Sequence, residues 1–141
     1  MAYQALQAPP LRLDRGGTAV RVIVTGSRAW PDPVRVAHEL TQLYLQHGPF
    51  TLIHGACSTG ADAAAHHWYE TAGLDLGCIE TKYPAAWDEF GKRAGPIRNK
   101  QMIEEASADL VLAFFFADSR GTRHTVDLAR AAGIEIKEFR A

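Results

Sequence analysis

Five short apolar runs alternate with helical stretches along this chain, and that alternation restricts the fold more than any other feature. Val20–Thr25 (Val-Arg-Val-Ile-Val-Thr) is β-branched and reads as a central first strand. Pro31-Asp32-Pro33 opens a helix to about Gln46, with Val36, Leu40, Leu43 and Tyr44 on one face, and Gly48-Pro49 stops it. Phe50–His54 is the second strand, followed by a helix to about Thr71 that Gly73 ends. Leu74–Glu80 is a weaker third strand, and Ile97–Ala106 is helical. Asp109–Phe116 is apolar throughout, as expected of a strand buried on both faces. A helix over Thr122–Ala132 and a strand over Ile134–Phe139 close the series. Strand–helix alternation implies an α/β domain: a Rossmann-like, doubly wound parallel sheet of about five strands with helices on both faces. Residues 18–141 form that single domain, and Met1–Gly17, broken by Pro9-Pro10 and Gly16-Gly17, read as a flexible leader or arm.

Sheets of this kind bind ligands beyond the C-terminal ends of their strands, where the strand order reverses. Three loops fall there: Gly26–Arg28, Gly55–Gly60 and Asp118–Thr122. The middle one joins the strand Leu52-Ile53 to an alanine-rich helix. Free backbone N–H groups and the positive end of the helix dipole favour a phosphate at such a junction. Gly55 and Gly60 have P-loop spacing, but Ala61 and Asp62 follow where Lys and Ser or Thr would stand. The dinucleotide fingerprint needs a middle glycine, and Cys57 takes that place. Neither a magnesium-dependent NTPase nor a standard NAD site is expected, and no cofactor is.

Composition excludes several classes. Formal net charge is -1 over 141 residues, without the basic excess of a dedicated nucleic-acid binder. Two cysteines, Cys57 and Cys78, make no disulfide framework, consistent with a reducing cytoplasm. No run is long enough to span a bilayer. Of the six histidines, His66 and His67 are adjacent and diverge by about 100° on a helix, so no metal site is expected. His54 reads as a core histidine that orients the loop beside it. Cys57 lies at a helix N-terminus, where its pKa could fall, but it reads better as a small packing residue.

The order of small motifs is more specific. Thr25-Gly26-Ser27-Arg28, His54-Gly55 with Gly60-Ala61-Asp62, Pro84-Ala85-Ala86-Trp87, Gly91-Lys92, Ala94-Gly95-Pro96-Ile97-Arg98-Asn99 with Met102, and Gly121-Thr122 occur in that sequence. From about Val20 onward this resembles the YspA-like family of the SLOG superfamily, which includes LOG phosphoribohydrolases and DNA-processing protein A. Ala86 departs from the pattern, since relatives often carry a polar residue before the tryptophan.

The resemblance implies binding of a nucleotide or nucleotide derivative such as AMP or ADP-ribose, by a sensor or carrier domain. The LOG glycine-rich segment corresponds to Gly55–Gly60, with Ala56 and Cys57 replacing glycines. The LOG Pro-Gly-Gly-x-Gly-Thr segment corresponds to Ala117–Thr122, of which Gly121 and Thr122 remain. The LOG catalytic arginine corresponds to Arg98, four residues before Met102, and the catalytic glutamate falls on Thr125. A hydroxyl there cannot stabilise a ribosyl cation as a carboxylate does, which weakens the alternative of an N-glycosidic hydrolase. Asp127 lies two residues on and is turned away. Single-stranded nucleic acid is a further alternative, by analogy with the DNA-processing relatives.

The candidate ligand-binding residues are therefore Gly26, Ser27, Arg28, Gly55, Ser58, Thr59, Gly60, Asp62, Arg98, Asn99, Gly121 and Thr122. Arg28 and Arg98 offer planar donor forks suited to phosphate. Ser27, Ser58 and Thr59 either donate to a ligand or cap their own turns. Asp62 either accepts from a ribose or sits as an acid in a first turn. Asn99 either reads a base edge or bridges two loops. Tyr83 and Trp87 are stacking or packing aromatics, and Lys92 and Arg93 could close over phosphates. Arg98 is expected at a pocket rim, where its loss would spare the fold. Association through helices beside the sheet, as in LOG relatives, makes a homodimer or higher homo-oligomer the expected assembly.

Overall fold

The structure, a computed structural model, describes residues 19–141; the leader expected over 1–17 lies outside the described residues. Five strands, β1 (Arg21–Gly26), β2 (Thr51–His54), β3 (Ile79–Lys82), β4 (Leu110–Phe115) and β5 (Glu135–Arg140), form one sheet in the order β3-β2-β1-β4-β5. Every pairing is parallel. The chain leaves β1 to one side through β2 and β3, then returns to the other side through β4 and β5. The reversal therefore lies between β1 and β4, and the fold is the Rossmann-like α/β architecture expected.

Successive side chains of a strand point to opposite faces, so the sheet divides its core in two. Val22, Val24, Leu52, Leu112 and Phe114 face α1 (Pro33–His47) and α2 (Gly60–Trp68), against Leu40, Ala65 and Trp68. Ile23, Ile53, Val111 and Ala113 face α4 (Ala94–Glu105) and α5 (Arg120–Ala131), against Met102, Val126 and Ala129. Burying each large side chain contributes roughly 1.5–3 kcal/mol, so these two layers fix the sheet's position between its helices. All six residues of β4 are buried.

Local signals set most boundaries. The Asp32 carboxylate accepts from the Arg35 N–H and Pro33 opens the first turn, which starts α1. Three expectations are corrected. The third strand begins at Ile79, because Leu74–Gly77 is taken up by turns: Gly77 N–H donates to Leu74 O and Cys78 N–H to Gly73 O. The end of the second helix widens into a π turn at Tyr69–Gly73, closed by Leu74 N–H to Tyr69 O at 2.8 Å. The stretch 82–96 is not one long loop. It contains the short helix α3 (Trp87–Phe90) and a 3-10 turn (Gly91–Arg93). α4 then starts at Ala94, with Pro96 in the first turn, where its missing N–H costs nothing.

Candidate functional site

A cleft of about 600 Å³ opens at the C-terminal ends of β1 and β4, where the strand order reverses. Its floor is the end of β1, Val24 to Gly26. One wall is built from Arg28, Gly55, Cys57 and Asp62; the other from Arg98, Asn99, Gly121 and Thr122. Trp87 and Lys92 flank the mouth from the segment before α4. Eight of the twelve candidates thus share one cavity. Ser27, Ser58, Thr59 and Gly60 do not line it.

Those four have other positions. The Ser27 hydroxyl accepts from Ala29 N–H at 3.0 Å and so caps its own turn. Ser58 and Thr59 are exposed on the loop, and Thr59 precedes α2 without a side-chain capping bond. Gly60 has φ +73, and a Cβ there would lie 2.1 Å from Ser27 O and 2.6 Å from Arg28 Cα. Its role is to let α2 start directly against the first loop, with Ala61 N–H donating to Ser27 O.

Arg98 is not on a rim. Only 8% of it is exposed. Its Nε donates to Asn99 Oδ1 at 2.8 Å, and its Nη1 donates to Gly55 O and to Tyr83 O. All three acceptors are neutral oxygens, so the guanidinium charge is not cancelled by them. The Nη2 end has no such bond among the described residues. Gly55 makes this possible, since a Cβ there would meet Arg98 Nη1 at 2.2 Å. The expectation that Arg98 could be lost without disturbing the fold is therefore corrected: it ties α4 to the β2 loop.

Asn99 bridges α4 to the start of α5. Its Nδ2 donates to Gly121 O at 3.4 Å and lies 3.3 Å from His124 Nδ1. Asp62 is buried, and its Oδ2 accepts from Cys57 N–H at 3.3 Å, holding the loop closed from within α2. Thr122 and Ser119 hydroxyls bond each other across the first turn of α5. Thr125 is fully buried and donates to Gly121 O at 3.2 Å, so that position is a packing site. Asp127 is exposed beside Arg130 and away from the cleft.

Four cations, Arg28, Lys92, Arg98 and Arg120, line the cleft against two carboxylates, Asp62 and Asp118. In a chain of formal net charge -1 this is a local concentration of positive charge. Arg28 lies 5.1 Å from the centroid of the exposed Trp87 ring, which pairs a cation with an aromatic face at the mouth. Tyr83 instead packs into the core beside α4, and Arg93 is exposed outside the cleft. The helix N-terminus does not lower the Cys57 pKa. Burial, reinforced by Asp62, pushes the thiol up, and Arg98 and Arg28 offset this only in part.

A cluster that the sequence did not reveal lies behind the β2 loop. His54 Nδ1 accepts from Ala56 N–H at 3.0 Å, and its Nε2 is 2.7 Å from Glu80 Oε2. His66 Nδ1 is 2.7 Å from the same oxygen. Burial works against the Glu80 carboxylate, yet the two imidazoles outweigh it and hold its pKa below the usual glutamate range. Residues 14 and 26 apart meet here only because β2, α2 and β3 are adjacent.

The model of the YspA, cpYpsA-related SLOG family matches residues 20–90. The chain belongs to that family. SLOG membership supports a nucleotide-related function in general terms. The Gene 61 protein of Mycobacterium phage D29 is 37% identical to this SLOG chain over 124 residues, covering 84% of this chain and 95% of that protein. No solved structure matches it. The matched segment carries the β1 and β2 loops, whereas Arg98, Asn99 and Thr122 come from beyond it. Among the described residues no helix is long and apolar enough to cross a membrane.

Proposed function

We propose that the cleft binds a nucleotide or nucleotide derivative of the AMP or ADP-ribose kind and does not hydrolyse it. The observation that carries this reading is the buried Arg98 guanidinium, held by neutral oxygens alone while lining a cavity with three further cations. Asp62 is the buried carboxylate near it, since both crowd Gly55, yet the cleft holds four cations against two carboxylates, and an anionic ligand balances that excess. The loops of β1 and β2 supply the phosphate end, and Trp87 supplies a flat apolar face for a base.

Hydrolysis of an N-glycosidic bond needs a carboxylate beside the ribosyl carbon. Thr125 stands at the position that the LOG resemblance gives to that group. Asp62 is already used by Cys57 N–H, and Asp118 is exposed with Arg123 3.6 Å away.

Arg28 is the cleaner residue to test, because it is exposed and its guanidinium packs on the Trp87 ring at the mouth of the cleft and not into the core. Arg28→Ala should weaken ADP-ribose or AMP binding by about 1.5–3 kcal/mol, the range for a hydrogen bond to a charged group, with an unchanged melting temperature. Calorimetry on both proteins checks this, with chromatography of the same samples for free base or ribose phosphate. Equal affinities would remove Arg28 from the site, and steady release of free base would replace binding with hydrolysis. A cytoplasmic homodimer belongs to the same proposal. It rests on the two free cysteines and on the open edge of β3, where Ile79 is 62% exposed. A single monomeric species by light scattering at tens of micromolar would count against the dimer.

A further inference from the structure

His54, His66 and Glu80 place one ligand atom each within 4.8 Å of one another, on the side of the β2 loop away from the cleft. We propose that this trio is a binding site for a borderline-soft divalent cation, with Zn²⁺ as the best match. The argument is independent of the nucleotide reading.

Two imidazole nitrogens and one carboxylate oxygen are a donor set that suits zinc, leaving a fourth position for water. Both rings already aim at one point: His54 Nε2 and His66 Nδ1 each lie 2.7 Å from Glu80 Oε2. An ion with bonds of about 2.0–2.2 Å sets its ligand atoms about 3.3–3.6 Å apart, so loading moves the carboxylate back from the two nitrogens and draws the nitrogens, now within 4.8 Å, to that spacing. A second feature is the far side of His66. Its Nε2 is 3.3 Å from Glu70 Oε1, one helical turn on. A histidine that ligates through one nitrogen commonly donates the other N–H to a carboxylate, which fixes its ring and tautomer. Lys82 Nζ stands 3.8 Å from Glu80 Oε1, the oxygen that the ion does not use, and its side chain is half exposed. His66 is one-third exposed, which gives the ion a way in, whereas His54 is 1% exposed and forms the inner wall.

Proton positions must change on loading. At present Ala56 N–H donates to His54 Nδ1, so the ring proton is on Nε2, facing Glu80. A bound ion takes Nε2, and that proton moves to Nδ1. Two N–H groups would then face each other, so the Ala56 amide must swing off the ring. His66 gives up the Nδ1 proton that now faces Glu80, to solvent if the ring is doubly protonated or to its own Nε2 if it is neutral, and then ligates through Nδ1 while Nε2–H faces Glu70. Ion binding and the Ala56–His54 bond thus exclude each other.

The test uses the untagged full chain, stripped with EDTA and titrated with Zn²⁺ against a chromophoric chelator. One equivalent should bind with a micromolar or lower Kd. Glu80→Gln and His66→Ala should each weaken it at least tenfold, and Glu70→Gln by about tenfold. His67→Ala, on the exposed neighbour, should change nothing. Long-range nitrogen–proton NMR should show His54 passing from the Nε2–H to the Nδ1–H tautomer as zinc is added, with the Ala56 amide shifting. The His66→Ala and Glu80→Gln chains are compared by circular dichroism, so that weak binding by a misfolded variant is recognised. Absence of binding by the folded parent at sub-millimolar Zn²⁺ would overturn the proposal. So would equal affinity in a folded His66→Ala chain, or a His54 tautomer that zinc leaves unchanged. The trio would then be a hydrogen-bonded clamp on the loop.

Discussion

Gly60→Ala should destabilise the domain by about 3 kcal/mol or more. A residue in the left-handed region costs roughly 1–2 kcal/mol without glycine, and forcing an atom into packed surroundings adds about 1–3 kcal/mol. Both apply here. The φ is +73, and the new Cβ would collide with Ser27 O and Arg28 Cα, which are backbone atoms and cannot rotate aside. Relief requires the Gly26–Arg28 loop and the start of α2 to separate, which also opens one wall of the cleft. Denaturant unfolding of parent and variant measures the loss. A difference below about 1 kcal/mol would mean that the two loops have room that their geometry does not show.

Arg98→Ala should be nearly as severe and should also remove ligand binding. It strips the partners from Gly55 O, Tyr83 O and Asn99 Oδ1 inside the protein. A buried acceptor left without a donor costs about 1–3 kcal/mol, reduced where water enters the space vacated. We expect a loss near 3 kcal/mol overall, with no measurable affinity for ADP-ribose. Arg98→Lys should recover little of either, because a single ammonium cannot serve Asn99 and Gly55 from the two positions that Nε and Nη1 occupy. Thermal melts with and without ligand distinguish the effects. A variant as stable as the parent would show that the carbonyls find other donors.

The strands were legible where their residues are β-branched or apolar without interruption, as in Val22–Val24 and Leu110–Phe115. Glycines and prolines marked the loops well, and the parallel order followed from alternation alone. The position of Arg98 was legible as a motif, but its burial was not. Its main partner, Gly55 O, is 43 residues away, and nothing local to α4 announces a buried cation. That Ser58 and Thr59 lie outside the cleft was not legible for a related reason: a hydroxyl in a glycine-bounded loop says nothing about which side of the loop it takes. The third strand was misplaced because apolar Leu74 and Leu76 resemble a strand, whereas the chain needed turns after the π segment. His54, His66 and Glu80 could not be associated from spacing, since their meeting is a property of the sheet and not of any one element.

The central place of β1 has a consequence for how the chain acquires its structure. Its partner β2 follows within about one helix, but Val22 pairs on the other side with Leu110, and Arg21 N–H is fixed by Asp109, 88 residues away. Closing the longer loop costs only about 1 kcal/mol more than the shorter one by chain entropy. The larger effect is on timing, since distant parallel pairing slows folding. On a ribosome, β1 emerges early and is left with one edge of its backbone unpaired until β4 has been made. Through most of synthesis the sheet is therefore half a sheet, with the apolar β1 open to any other extended chain nearby. Yield and solubility during expression should accordingly depend more on β1 and β4 than on the cleft.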